Sequence, residues 1–150
     1  MSDPLSVIAS VVSIAGFALH SARRLKDVID GIQGAPRAVQ AVSSDLQAVS
    51  GVLDTLHRLL GQTKSRKRVS PMELELVTIL QLPLHNCVST CKEIDDAIKP
   101  HIKPTSQAKG SRWSKLAWYW REKDMLALQT KLMTSKSSLE MAIAVTTMWV

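Results

Sequence analysis

Aromatic side chains are scarce. The 150 residues hold four Trp, one Tyr and one Phe, and no segment alternates β-branched or aromatic residues with polar ones. That argues against a β-sandwich or barrel, whose strands need such a pattern. Gly and Pro number six each and fall mostly between periodic segments, too few for many short strands and turns. Cysteine is limited to Cys87 and Cys91, one helical turn apart. Two such residues make no secreted disulfide framework and fit a reducing, intracellular compartment. The residues ahead of the first apolar run, Met1 to Pro4, include an acid and no base, so the basic n-region of a secretory signal is missing. Charge of either sign is missing from Leu5 to Leu19, and no later segment repeats such a run.

What is present is a basic, helical chain. Apolar residues make up 45% of it, enough at this length to bury a core without staples. The net charge is +6 and the pI about 9.6, a balance that suits nucleic acid or an anionic membrane surface. Four segments carry apolar residues at alternating spacings of three and four, the seam of packed helices. The first is Ile8, Val11, Ala15, Ala18, Ala22, Leu25 and Ile29. Asp3 suits its N-cap and Pro4 its first turn, and Gly31 and Gly34 end it. The second runs Val39, Val42, Leu46, Val49, Leu53, Leu56, Leu60, with Gly61 where a C-terminal glycine belongs.

The third seam is Val77, Leu80, Leu84, Cys87, Cys91, Ile94 and Ile98. Ser70, Pro71 and Glu73 form its capping-box start, and Pro83 predicts a kink near Ile79. The fourth helix is expected from about Ser111 onward, with Leu116, Trp120, Met125, Leu128, Leu132, Leu139 and Ile143 inward. Short connections favour an all-α, up-down-up-down four-helix bundle. That topology sets the N-terminus of the first helix beside the basic Gly61–Ser70 loop, and the Pro100–Ser111 linker at the other end.

The first helix poses the functional question. Its face away from the seam carries Ser6, Ser10, Ser13 and Gly16, small residues that admit another helix. In one reading it is central and contacted on several sides. In the other it is buried in one state and inserted into a bilayer in another. The apolar residues that would insert are Leu5, Val7, Ile8, Val11, Val12, Ile14, Phe17 and Leu19. Fifteen helical residues span about 22 Å against a hydrocarbon core of about 30 Å, so insertion calls for tilt, thinning or assembly. Lys64, Arg66, Lys67 and Arg68 in the neighbouring loop supply contacts to anionic lipid. The same cluster also fits an ordinary solvated loop or a nuclear-localisation-like patch.

The stretch "DPLSVIASVVSIAGFALHSARRLKDVIDGIQGAPRAVQAVSSDLQAVSGVLDTL" resembles the N-terminal domain of fungal STAND receptors, the NLR-like proteins of fungi. The "DPLS" start, the apolar small-residue run, the "GAP" turn at Gly34–Pro36 and the second helix carry the resemblance. The closing "KLAWYWREKDMLALQTKLMTSKSSLEMAIAV" is similar to that family's last helix. The family, termed HeLo-like, implies a helical bundle related to cell-death effector domains. It implies oligomerisation on activation, exposure of the first helix and membrane disruption. It also implies a downstream nucleotide-binding module, with residues 1–150 as the single N-terminal effector domain of a longer receptor. The expected location is cytoplasmic, with recruitment to a membrane, the plasma membrane, on activation. The serines of the first helix depart from the most membrane-like members. No G-x-x-x-x-G-K-[ST] loop occurs in these residues, so nucleotide binding of that kind is not expected.

Other chemistry finds little support. Cys87 and Cys91 share a helix face, yet a closed zinc site needs two further ligands, and both fall on the seam as small buried side chains. No orienting third group accompanies a Cys–His pair, and the acids are scattered. The sequence therefore reads as no enzyme, with no cofactor and no metal. "RWSKLAWYWREK" mixes aromatic and basic residues, a pattern that can stack bases, anchor at a lipid interface or pack the bundle. The expected partners are anionic membrane lipids and further copies of the chain, with nucleic acid a weaker third option. The alternative to a membrane effector is a protein–protein oligomerisation module without membrane activity.

Overall fold

A computed structural model describes residues 4–65, 69–104, 111–113 and 115–148, with side chains described over 5–65, 69–102 and 124–145. Helix α1 runs Pro4–Asp30, α2 Arg37–Ser65, α3 Pro71–Ile79, α4 Gln81–Ile98 and α5 Lys115–Met148. The seam residues expected for α1, α2 and α3–α4 are all buried, and in α5 so are Met125, Leu128, Leu132 and Leu139. One apolar stripe per helix is enough to set this arrangement, because each stripe must leave water. The side chains of Leu116 and Trp120, expected to face inward, and the expected Asp3 cap lie outside the described residues.

The third helix is broken as Pro83 requires. Proline has no N–H to give the Ile79 carbonyl, and its ring crowds that turn. Leu80 sits at the break, its N–H shared between the Leu76 and Val77 carbonyls at 3.2 Å each. At the start of α3, the Ser70 Oγ accepts the Glu73 N–H at 3.1 Å and donates to the Glu73 carboxylate. Gly34 takes a positive φ of 74° in the α1–α2 turn, a conformation that costs glycine little.

Two expectations are corrected. α2 does not stop at Gly61 but continues to Ser65, whose Oγ donates to the Gly61 carbonyl. Residues Ser111–Trp113 are not helical; they form strand β3, and α5 starts at Lys115. Together with β1 (Ile32–Gln33) and β2 (Ile102–Pro104), β3 makes a small sheet in the order β1-β3-β2. β1 pairs with β3 in parallel and β2 pairs with it antiparallel. The sheet ties the α1–α2 turn to the α4–α5 linker at one end of the bundle. α1 is contacted on several sides: it packs on α2, α4 and α3, while α5 packs on α2, α4 and, more lightly, α3. α1 and α5 therefore stand at opposite corners of the bundle, and α1 keeps an open face.

Candidate membrane-facing surface

Burial divides α1 by face rather than by length. Ile8, Val11 and Leu19 point into the core, Val7, Val12 and Ile14 are half-buried, and Leu5 and Phe17 are 53% and 58% exposed. The eight apolar residues singled out by sequence thus do not form one surface. Three hold α1 to the bundle and two already face outward. Ser6, Ser10, Ser13 and His20 share the exposed side. No charge interrupts that side before Arg23, and α1 is long and apolar enough by length and composition to cross a bilayer. An ordinary exposed helix face would carry Lys or Glu there.

Two features set how firmly α1 is held. The middle of its seam is Ala15, Ala18 and Ala22, which together bring only three methyl groups to the core. At about 0.8 kcal/mol per buried carbon, each contributes well under half of what a buried leucine of α2 does. The polar ties of α1 to α2 gather instead in its last turns. Arg23 lies 3.8 Å from Asp54, and Ser43 Oγ donates to the Asp30 carboxylate. Lys26 bonds to that carboxylate too, and these two hydrogen bonds, Lys26 first, hold Asp30 below its ordinary pKa. The C-terminal end of α1 is thus pinned, while the charge-free N-terminal part is held by apolar packing.

Of the basic loop, Lys64 ends α2 and is exposed. Arg66, Lys67 and Arg68 lie outside the described residues. α3, which follows that loop, packs against α1, as the expected end-to-end arrangement requires. Cys87 and Cys91 are buried free thiols, and the described residues contain no cluster of three metal-ligating side chains. Sequence reasoning missed a second apolar surface, a groove between α3 and α5 bordered by Ile79, Leu126 and Met141. Its only signal was indirect, in the Pro83 break and the Thr/Ser-rich side of α5.

The molecule is therefore an all-α bundle whose first helix exposes an apolar, charge-free face. Over residues 2–149 the chain matches the family described as pigment biosynthesis cluster protein PigL N-terminal, and it belongs to that family. This is a fungal family related to the HeLo-like domains. No curated protein and no solved structure matches the chain significantly.

Proposed function

We propose that this domain is the effector end of an intracellular fungal receptor of the STAND, NLR-like kind. It self-associates and acts on anionic membranes through α1 to trigger regulated cell death. One observation carries the reading: α1 presents an exposed helical face from Leu5 to His20 without a charge, although only a third of its most apolar window is buried. Leu5 to Ala22 is 18 residues, about 27 Å of helix, close to a hydrocarbon core of about 30 Å. Moving α1 from the bundle into lipid keeps its apolar side chains out of water. What it uncovers is the α2 and α4 surface beneath, and association between copies covers that again. The loop from Lys64 to Arg68 adds about 1 kcal/mol of attraction per basic residue near an anionic leaflet. In this reading the partners are anionic lipids, further copies and a downstream nucleotide-binding module. The domain works in the cytoplasm, moves to the plasma membrane on activation, and performs no catalysis.

The test is co-sedimentation and dye leakage with anionic and neutral vesicles. It compares wild type, Phe17→Glu, and a variant with Glu at Lys64, Arg66, Lys67 and Arg68. Phe17 is exposed, so Phe17→Glu keeps the helical circular dichroism. A charge at the centre of a membrane helix costs about 3 kcal/mol, so leakage falls about 100-fold. The loop variant stays folded and loses vesicle binding. An inert wild type, or Phe17→Glu leaking as wild type does, overturns the reading.

A second reading, an oligomerisation module without membrane activity, is favoured by the apolar groove between α3 and α5. Stable soluble assembly without vesicle binding would select it.

A further inference from the structure

A depression of about 330 Å³ lies between α1 and α4, a volume at the low end of small-molecule sites. β1 follows α1, β2 follows α4, and both pair with β3. The two helices therefore end at the sheet and run in the same direction. Phe17 and Val88 come first along the depression, and Val28 and Lys99 last. Each wall rises about 16 Å over that stretch. α1 leaves three large apolar side chains exposed, Leu5, Phe17 and Val28, and the last two border this depression.

Its lining is divided in character. Leu25 and Cys91 are buried and form an apolar floor. Three bases stand over that floor, Arg24 from α1 and Lys92 and Lys99 from α4, against one acid, Asp95. Asp95 is already engaged by Lys99 at 3.3 Å. Arg24 and Lys92 have no ion-pair partner among the described residues. Both lie more than a turn before the ends of their helices, outside the last turn in which the macrodipole favours a cation. Neither a salt bridge nor a helix end accounts for them. Arg24 precedes Leu25 and Lys92 follows Cys91, so each wall sets one exposed base beside one buried apolar residue. A charged ligand without an apolar part would leave the floor wet. An apolar ligand without a charge would crowd the two bases and gain nothing from them.

We infer that this depression binds a single-chain anionic amphiphile, an acyl chain with a carboxylate or phosphate head. The chain covers Phe17, Val28 and the floor between them, and Arg24 and Lys92 hold the head. The small volume suits one chain rather than the two of a bilayer lipid. Because the walls belong to different helices, the site exists only while α1 is seated on α4. A ligand that binds the seated state alone stabilises it by mass action. The occupant therefore latches α1 to the bundle. Only the consequence for membrane entry rests on the proposed function: there, occupancy opposes the lifting of α1.

Calorimetric titration of the domain tests it, with decanoate, decyl phosphate, decyl glucoside and inorganic phosphate, each below its micelle concentration. Decanoate and decyl phosphate bind at one site. Binding of one head and not the other keeps the site and names its head group. Decyl glucoside has the chain without the charge, phosphate the charge without the chain, and each binds weaker by about tenfold or more. Arg24→Glu and Lys92→Glu, at exposed positions, keep wild-type circular dichroism and lose about tenfold or more in affinity. Arg37→Glu makes the same change of charge at an exposed position outside the depression and binds as wild type does. Hydrogen exchange reads the latch: decanoate at about ten times its Kd slows the α1 amides that exchange by local opening about tenfold. No binding of either amphiphile, decyl glucoside or phosphate binding as tightly, or Arg37→Glu losing as much as Lys92→Glu overturns the site. Binding without slower α1 exchange overturns the latch. No vesicle enters these measurements. Binding in a domain that never leaks vesicles removes only the membrane reading, and a leaking domain that binds neither amphiphile removes only the site.

Discussion

Gly16 of α1 and His57 of α2 meet across their interface: a methyl group added to Gly16 would lie 3.2 Å from His57 Nε2. The close approach seats the charge-free part of α1 on α2. Gly16→Ala gains about 1 kcal/mol of helix propensity and asks only the tip of one imidazole to move. Its stability should stay within about 1 kcal/mol of wild type or rise. Gly16→Leu is different. A branched side chain has no room there, and overpacking outweighs propensity for a net loss of about 1–2 kcal/mol. Urea unfolding should show a lower midpoint for Leu and not for Ala. If α1 is the inserting element, Gly16→Leu should also leak anionic vesicles at lower protein concentration.

Asp30 closes the other end of α1. Its carboxylate accepts from Lys26 and from Ser43 of α2, and both bonds favour the ionised form. Its pKa in the folded chain lies below the ordinary 3.8. A lowered folded value means the stabilisation is complete above the unfolded pKa and is lost as pH falls through the folded one. Wild type should therefore weaken below about pH 4 in part through this group. Ser43→Ala should cost about 1 kcal/mol at pH 7 and less at pH 3. Urea midpoints at the two pH values check this, and an equal loss at both would assign the cost to packing alone.

The seams of α1 to α4 were legible because each helix must bury one stripe, and residues such as Ile8, Leu46 and Ile94 recur at the spacing that keeps a stripe on one side. The Pro83 break was legible because a missing N–H is a local fact. The small sheet was not. Ile32 and Gln33 are too few to show a period, and their partners at Ser111 and Arg112 are brought by the bundle from far along the chain. The exposure of Phe17 was only half legible. Ser6, Ser10 and Ser13 mark its side as the one away from the seam, but small hydroxyls do not tell a face in water from one packed on another helix. The groove depends on how α3 is offset from α5 after the break, which no spacing encodes. Only Lys64 of the basic loop falls within the described residues, so the lipid-contact role rests on sequence.

Gly61 shows a local rule losing to its context. Glycine often ends helices, yet here α2 continues through it. A methyl group at Gly61, or at exposed Gly51, would meet nothing within 4 Å. Neither glycine has a positive φ, so alanine needs no change of backbone. Gly51→Ala and Gly61→Ala should each stabilise the domain by about 1 kcal/mol. At this size that is about 2–4 °C in Tm each, additive for sites this far apart. A loss of stability at Gly61 would mean that the last turn of α2 is not helical in solution.

Cys91 offers a direct view of α1. Its side chain lies under α1, lining a shallow depression with Phe17, Leu25 and Val28, and it is buried together with Cys87. The hydrogen bond shared with Cys87, and burial after it, push the Cys91 thiol well above its ordinary pKa. A thiol in that state is a poor nucleophile at neutral pH. The same hydrogen bond shifts the Cys87 thiol the other way, downward, but Cys87 is fully covered. A chromogenic disulfide reagent should therefore find two reactive thiols in urea and neither over the same interval in the native domain. Lifting α1 removes the cover and returns water to the thiol, which restores reactivity. Anionic vesicles should then accelerate labelling while neutral vesicles do not. Cys91→Ala should remove most of the accelerated labelling, since Cys87 is the more deeply buried of the two. Vesicle binding with no change in labelling would mean that the domain meets the membrane with α1 still seated, through its surface charges alone.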